Sequence, residues 1–144
     1  MRYDVLIIGA GAAGFACALT LGSANDKFDW AKDKKYLILD DNKSDLNVGK
    51  YFNVAGVDSG INGVDLLLKM KKQLEIYKDV ELKDEKATKI ENLGEYFKIT
   101  TENSTFEASI IVLATGLHKF DIECEDVNVK DNIFVPKPNN IYLE

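Results

Sequence analysis

Gly9, Gly11 and Gly14 stand in the spacing G-x-G-x-x-G, directly after the apolar run Val5-Leu6-Ile7-Ile8 and directly before a second one, Phe15-Ala16-Cys17-Ala18-Leu19. Glycines so placed can hold the phosphates of a dinucleotide. The first permits a tight turn off a strand, and the second lets backbone approach a pyrophosphate where a Cβ would intrude. The third lets the following helix lie close on the strand. The helix N-terminus adds unpaired N–H groups and about half a unit of positive charge.

Two other stretches bear on the same chemistry. Tyr36-Leu37-Ile38-Leu39 reads as a second buried strand, and it ends at Asp40-Asp41. A carboxylate at that point can accept hydrogen bonds from both hydroxyls of a ribose and repels a 2′-phosphate. Asp40 follows Gly14 by 26 residues, where about 20 is usual; the long polar connector Ala24 to Lys35 supplies the excess. Further on, Ile110-Ile111-Val112-Leu113 reads as a third, fully buried strand, closing in the small-residue turn Ala114-Thr115-Gly116.

The elements around these stretches follow from periodicity. A helix is expected from Ala12 to Leu21, apolar nearly all round and so enclosed, with Gly22 as its C-terminal cap. Phe28 and Trp30 are expected to fold the connector back onto the body. The segment from Asp45 to Asn62 is irregular. Asn62 then caps a helix from Gly63 to about Tyr77, whose apolar positions 64, 67, 70, 74 and 77 keep a three-four spacing. Its lysines, Lys69, Lys71, Lys72 and Lys78, read as a solvated face. Short strands are expected over Val80 to Glu85 and Ala87 to Asn92. Tyr96 to Thr101 and Thr105 to Ser109 should pair through the turn Glu102-Asn103-Ser104. The fold class is therefore α/β: a Rossmann-like parallel sheet with a small inserted antiparallel meander.

Composition narrows the function. The 144 residues suit a single domain, 1–144, with 121–144 an atypical acidic segment containing Pro136 and Pro138. A net charge of −6 favours neither nucleic acid nor an anionic membrane surface. Residues 5–22 carry no charge and, as one helix, would almost span a bilayer, but a membrane anchor has no use for glycines at this spacing. Cys17 and Cys124 form neither a C-x-x-C pair nor a zinc pattern. Cys17 is expected inside the first helix, and Glu123 and Glu125 are expected to disfavour a thiolate at Cys124. A reducing, cytoplasmic setting is the expectation. His118, the one histidine, follows the Ala-Thr-Gly turn and reads as a surface residue rather than a catalytic one.

Taken together and in order over residues 3–118, these motifs resemble the FAD-binding half of the thioredoxin-reductase-like flavoproteins, within the pyridine nucleotide–disulfide oxidoreductase superfamily. Tyr51-Phe52-Asn53-Val54-Ala55-Gly56 resembles that family's E-N-F-P-G stretch. Gly63-Val64-Asp65-Leu66 through Gln73 resembles its G-x-x-L…M-x-x-Q helix, and Thr105 to Gly116 resembles its strand ending in A-T-G. The resemblance implies an FAD cofactor, with Gly9, Gly11, Ala12, Ala13 and Gly14 on the pyrophosphate and Asp40 on the adenosine ribose. It further implies the Ala87 backbone at the adenine edge, Ala114, Thr115 and Gly116 along the cofactor's midsection, and Asn53 near the flavin end.

There are departures. The family's Gly-Gly pair after the second strand is reduced to Gly49, and no second G-x-G-x-x-G, no C-x-x-C and no late G-D motif occur in these residues. The function expected is thus that of a flavin-binding oxidoreductase domain without its own NAD(P)H site or redox dithiol, served by an electron donor or a completing partner chain. A non-catalytic module binding FAD or NAD is the alternative. A plain NAD-linked dehydrogenase domain fits poorly with the meander and the Ala-Thr-Gly ending. Nothing in the sequence specifies an oligomeric state.

Overall fold

The structure, a computed structural model, describes residues 2–25, 27–116 and 122–125. Strand β1 (Arg2–Ile8) leads through the glycine turn into helix α1 (Ala12–Asn25) and then to β2 (Tyr36–Asp40). A 3-10 turn (Asp45–Val48) and the two-residue strands β3 (Lys50–Tyr51) and β4 (Ile61–Asn62) precede helix α2 (Gly63–Leu74). Strands β5 (Val80–Asp84), β6 (Ala87–Asn92), β7 (Phe97–Thr101), β8 (Thr105–Leu113) and β9 (Glu123–Glu125) follow.

Seven strands form one sheet in the order β5-β2-β1-β8-β7-β6-β9. β5, β2, β1 and β8 are mutually parallel, whereas β6, β7 and β8 are antiparallel. β3 and β4 make a separate antiparallel pair. The chain thus steps outward from β1 to β2 to β5 and returns to the opposite side of β1 as β8. That reversal opens a crevice at the carboxyl ends of β1 and β8, where ligands of such sheets bind.

Strand alternation sorts the core into two layers. Val5 and Ile7 of β1 and Tyr36 and Ile38 of β2 face the helices, packing with Phe15 and Ala18 of α1 and Leu74 of α2. Leu6, Ile8, Leu37 and Leu39 face the other way, onto Ala87, Ile90, Ile99, Phe106 and Ala108 of β6–β8. The central strands are covered on both faces, which explains why they read as unbroken apolar runs.

Several expectations are corrected. Gly22 does not cap α1; it lies inside the helix, where a Cβ would come within 2.8 Å of the Tyr77 side chain, so it is a contact point for the segment after α2. α1 is not enclosed all round either: Ala12, Ala13, Ala16 and Thr20 are exposed, because only one side meets the sheet. α2 ends at Leu74, and Val64 is exposed; Leu66 and Leu74 carry its burial, with Leu67 and Met70 half-buried beside them. Phe28 and Trp30 stack on each other, ring centroids 5.9 Å apart, and stay exposed, while Ala31 between them and β2 is the buried residue.

The third buried strand and the last meander strand are one element. β8 pairs antiparallel with β7 through Thr105 to Ala108 and parallel with β1 from Glu107 to Leu113. Beyond Ala108 it is not fully buried, and Ile110 is exposed. Asn62 does cap α2, its side chain accepting from the Asp65 N–H at 2.8 Å. His118 and the segment 126–144 lie outside the described residues.

Candidate functional site

β1 delivers its chain to the lip of the crevice already fixed on both sides. The Gly9 N–H donates to the Leu39 carbonyl and the Ala114 N–H donates to the Ile8 carbonyl, each at 2.8 Å. Gly9 has φ +102°, a conformation that side-chain-bearing residues rarely adopt. Gly14, one turn into α1, packs so closely on the strand that a Cβ would lie 1.8 Å from the Gly9 carbonyl oxygen. Both glycines are demanded by the fold itself.

Gly11 is different. Its φ is not positive, and among the described residues other than its chain neighbours a Cβ there would meet no atom nearer than Ser44 Oγ, at 3.5 Å, an ordinary contact distance. The chain's own packing and backbone geometry therefore leave this glycine unexplained. Directly beyond it, Phe15 N–H donates to the Gly11 carbonyl as the first helical bond, and Ala12 and Ala13 are exposed. The N–H groups of this first turn have no intrahelical partner, and no acidic residue stands among them.

Asp40 closes the site from β2. Its Oδ1 accepts the Ala10 N–H at 2.8 Å and its Oδ2 accepts the Asn42 N–H at 3.2 Å, so the carboxylate is turned onto the glycine loop. Asp41 points elsewhere and accepts the Lys43 N–H at 3.1 Å. Just past β8, Ala114 and Thr115 abut Gly9, and Gly116 (φ +77°) follows them. Ala87 begins β6 three residues past the end of β5, whose Asp84 is paired with Asp40, and its side chain is buried against the Ile8 and Leu39 layer. The structure thus gathers Gly9, Gly11, Ala12, Ala13, Gly14, Asp40, Ala87, Ala114, Thr115 and Gly116 at the carboxyl end of the sheet. Asn53 is exposed beyond β3, with no hydrogen bond to any of them.

Two residues at the crevice escaped sequence reasoning. Ser44 stands beside Gly11, and Asp45 Oδ2 would lie 3.5 Å from a Cβ on Gly116. Ser44 caps, and Asp45 begins, the 3-10 turn after β2, which is bound to α2 and β3: the Gly63 N–H donates to the Gly49 carbonyl at 2.9 Å, and the Tyr51 hydroxyl to the Leu46 carbonyl at 3.2 Å. Ser44 caps that turn, and nothing local in the sequence places it at Gly11.

The cysteines are not part of this site. Cys17 packs with the helix layer and Cys124 with the meander layer, on opposite faces of the sheet. Both are half-buried, and burial raises the pKa of each thiol. For Cys124 this corrects the expected cause, which was the flanking glutamates. Among the described residues no cluster of histidine, cysteine or acidic side chains could hold a metal ion, and no helix is long and apolar enough to cross a membrane.

The profile of the pyridine nucleotide-disulphide oxidoreductases matches residues 3–142. The chain belongs to this family. Thioredoxin reductases are among the proteins it is similar to. It is 31% identical over 114 residues to a thioredoxin reductase of Treponema pallidum (strain Nichols), an alignment covering 79% of this chain and 35% of that one. The solved thioredoxin reductase of Gloeobacter violaceus superposes with a TM-score of 0.71 at 27% identity, over 83% of this chain and 38% of that one. The Lactococcus lactis enzyme superposes with a TM-score of 0.68 at 32% identity, over 84% of this chain and 38% of that one. As a family member the chain therefore spans little more than a third of the length of these relatives, and what it shares with them is a thioredoxin-reductase-like oxidoreductase domain of Rossmann-like fold.

Proposed function

We propose that this domain binds FAD, with the ADP half in the crevice between β1 and β8, and serves as the flavin domain of a thioredoxin-reductase-like oxidoreductase. The observation that carries this is Gly11. Neither φ nor packing calls for glycine there, whereas a pyrophosphate laid against the backbone does. The first turn of α1 would supply N–H donors and the positive end of its dipole to the phosphates. Asp40, already holding the loop through Ala10, retains acceptor capacity for ribose hydroxyls, since each carboxylate oxygen can accept more than one hydrogen bond. Ala114, Thr115 and Gly116 would flank the middle of the cofactor, and the Ala87 backbone its adenine edge. Asn53 is proposed for the flavin end on the family pattern alone.

Bound flavin would supply the redox chemistry, and the residues described here bind and orient it. Cys17 and Cys124, on opposite faces of the sheet, cannot form a redox dithiol with each other. Electrons would accordingly pass to and from groups held by another segment or a partner chain, in a cytoplasmic setting.

The test is direct. The protein is purified and denatured, and any released nucleotide is identified by mass; FAD is expected. Titration of the nucleotide-free protein with FAD should show binding that Gly11→Val removes while the far-UV circular dichroism stays unchanged. Unaltered FAD affinity in that variant would sink the reading.

A further inference from the structure

Among the described residues other than its chain neighbours, Ser44 Oγ is the one atom within 4 Å of the point where Gly11 would carry a Cβ. We propose that the Ser44 hydroxyl is a further phosphate-binding group of this crevice, donating its hydrogen to the diphosphate that the Gly11 backbone faces. The proposal rests on the FAD reading above and extends it to a residue outside the glycine turn.

Hydrogen-bond bookkeeping assigns the proton a free direction. A serine hydroxyl has one proton and two lone pairs. Ser44 caps the 3-10 turn by accepting the Leu46 N–H at 3.3 Å, which uses a lone pair. No described residue accepts the Ser44 proton, and the side chain is half-buried rather than freely solvated. The hydroxyl is thus oriented by its acceptor side, with its donor side unspent, next to a glycine whose side is bare.

The turn under Ser44 is tied down on two sides. Leu46 takes the Tyr51 hydroxyl on its carbonyl, and that same carbonyl oxygen would lie 1.4 Å from a Cβ on Gly63. Gly63 is the first residue of α2, so the turn is clamped to a helix terminus. A binding group held this way loses little conformational freedom when a ligand arrives. The neighbouring carboxylate of Asp45 has its Oδ2 beside Gly116.

Two roles of Ser44, cap and ligand, are separated by substitution. Ser44→Asp keeps a capping acceptor, aspartate being as good a cap as serine, but removes the donor and adds a charge against the phosphates. Ser44→Thr keeps both roles. Calorimetric titrations with ADP and with FAD are the readout. For both ligands Ser44→Ala should weaken binding about ten- to a hundredfold, the range for a hydrogen bond to a charged group. Ser44→Asp should abolish it, and Ser44→Thr should restore it. Ser44→Asp binding ADP and FAD as tightly as the unaltered protein would overturn the proposal and leave Ser44 a cap only. Failure of the unaltered protein to bind either ligand would overturn the FAD reading and this inference with it.

Discussion

A Cβ on Gly9 would lie 2.3 Å from the carbonyl oxygen of Ala114, so the glycine turn and the end of β8 are in backbone contact. The motif that looks like a cofactor fingerprint is therefore also a structural joint. Of its three glycines, Gly9 and Gly14 answer to neighbouring backbone, and Gly11 does not. Fold and ligand requirements fall on different residues of one hexapeptide.

This division predicts opposite behaviours within the motif. Gly9→Ala and Gly14→Ala each force backbone apart and should lower stability by about 1–3 kcal/mol, the usual cost of overpacking. Gly9→Ala carries the added strain of a side chain at positive φ. Gly11→Val should leave the unfolding midpoint near that of the parent and remove nucleotide binding. Urea unfolding of the three variants checks this. Equal destabilisation at Gly11 would mean that the fold, not a ligand, requires that glycine.

Asp40 and Asp41 are separated by the same kind of reasoning. Asp40→Ala should cost about 1.5–3 kcal/mol of FAD binding, the worth of charge-assisted hydrogen bonds. It should also reduce stability without any ligand, because the Ala10 N–H, on a residue only 3% exposed, loses its partner; an orphaned buried donor costs about 1–3 kcal/mol. Asp41→Ala, which releases only the exposed Lys43 N–H, should do little in either assay. A larger loss of affinity at Asp41 would assign the ribose contact to the other carboxylate.

The glycine turn, β1, β2, the Asn62 cap and the meander were legible because each is written locally, in an apolar run, a cap or a turn. What stayed illegible is tertiary. Gly22 carries the local signature of a helix stop, yet its glycine is required by Tyr77, 55 positions further on. In sequence β8 reads as two pieces meeting at Ser109, because its first half alternates and its second half is apolar. It borders β7 on one edge and β1 on the other, and each half records a different neighbour. Ser44 and Asp45 reach the crevice only because Gly63 lets the Leu46 carbonyl come so near.

Acid should loosen the amino ends of the parallel strands first. Burial alone would raise the pKa of Asp4, but the Lys34 ammonium at 2.7 Å and the Lys35 N–H at 2.9 Å outweigh it and hold the carboxyl below its ordinary value. Asp79 is likewise held down, chiefly by Lys35 and then by Asn25. A carboxylate with a depressed folded-state pKa stabilises fully above the unfolded value, about 3.9 for aspartate. That contribution is lost as pH falls through the folded-state pKa. Thermal midpoints of the parent should therefore fall more steeply below about pH 4 than those of the Asp4→Asn, Asp79→Asn double variant. Parallel pH profiles would rule these pairs out as contributors.

At the alkaline end the sensor is Tyr3. Its hydroxyl, on β1, donates to Glu81 Oε2 on β5 at 3.0 Å, reaching past β2. Burial first, then this bond, then the Glu81 charge push its pKa up to about 12. The folded protein thus prefers the neutral phenol. Its stabilisation is complete below the unfolded value of about 10, and it is lost as pH rises from there through the folded-state value. Tyr36 is also raised, by burial and then by Asp4 and Asp79, so a plain absorbance titration does not isolate Tyr3. Subtracting the Tyr3→Phe titration at the tyrosinate band does. The difference should show one ionisation near pH 12, and Glu81→Gln, which removes the charge but keeps an acceptor, should move it downward. A difference titrating near 10, the value of an ordinary tyrosine, would mean that the Tyr3–Glu81 bond does not hold in solution.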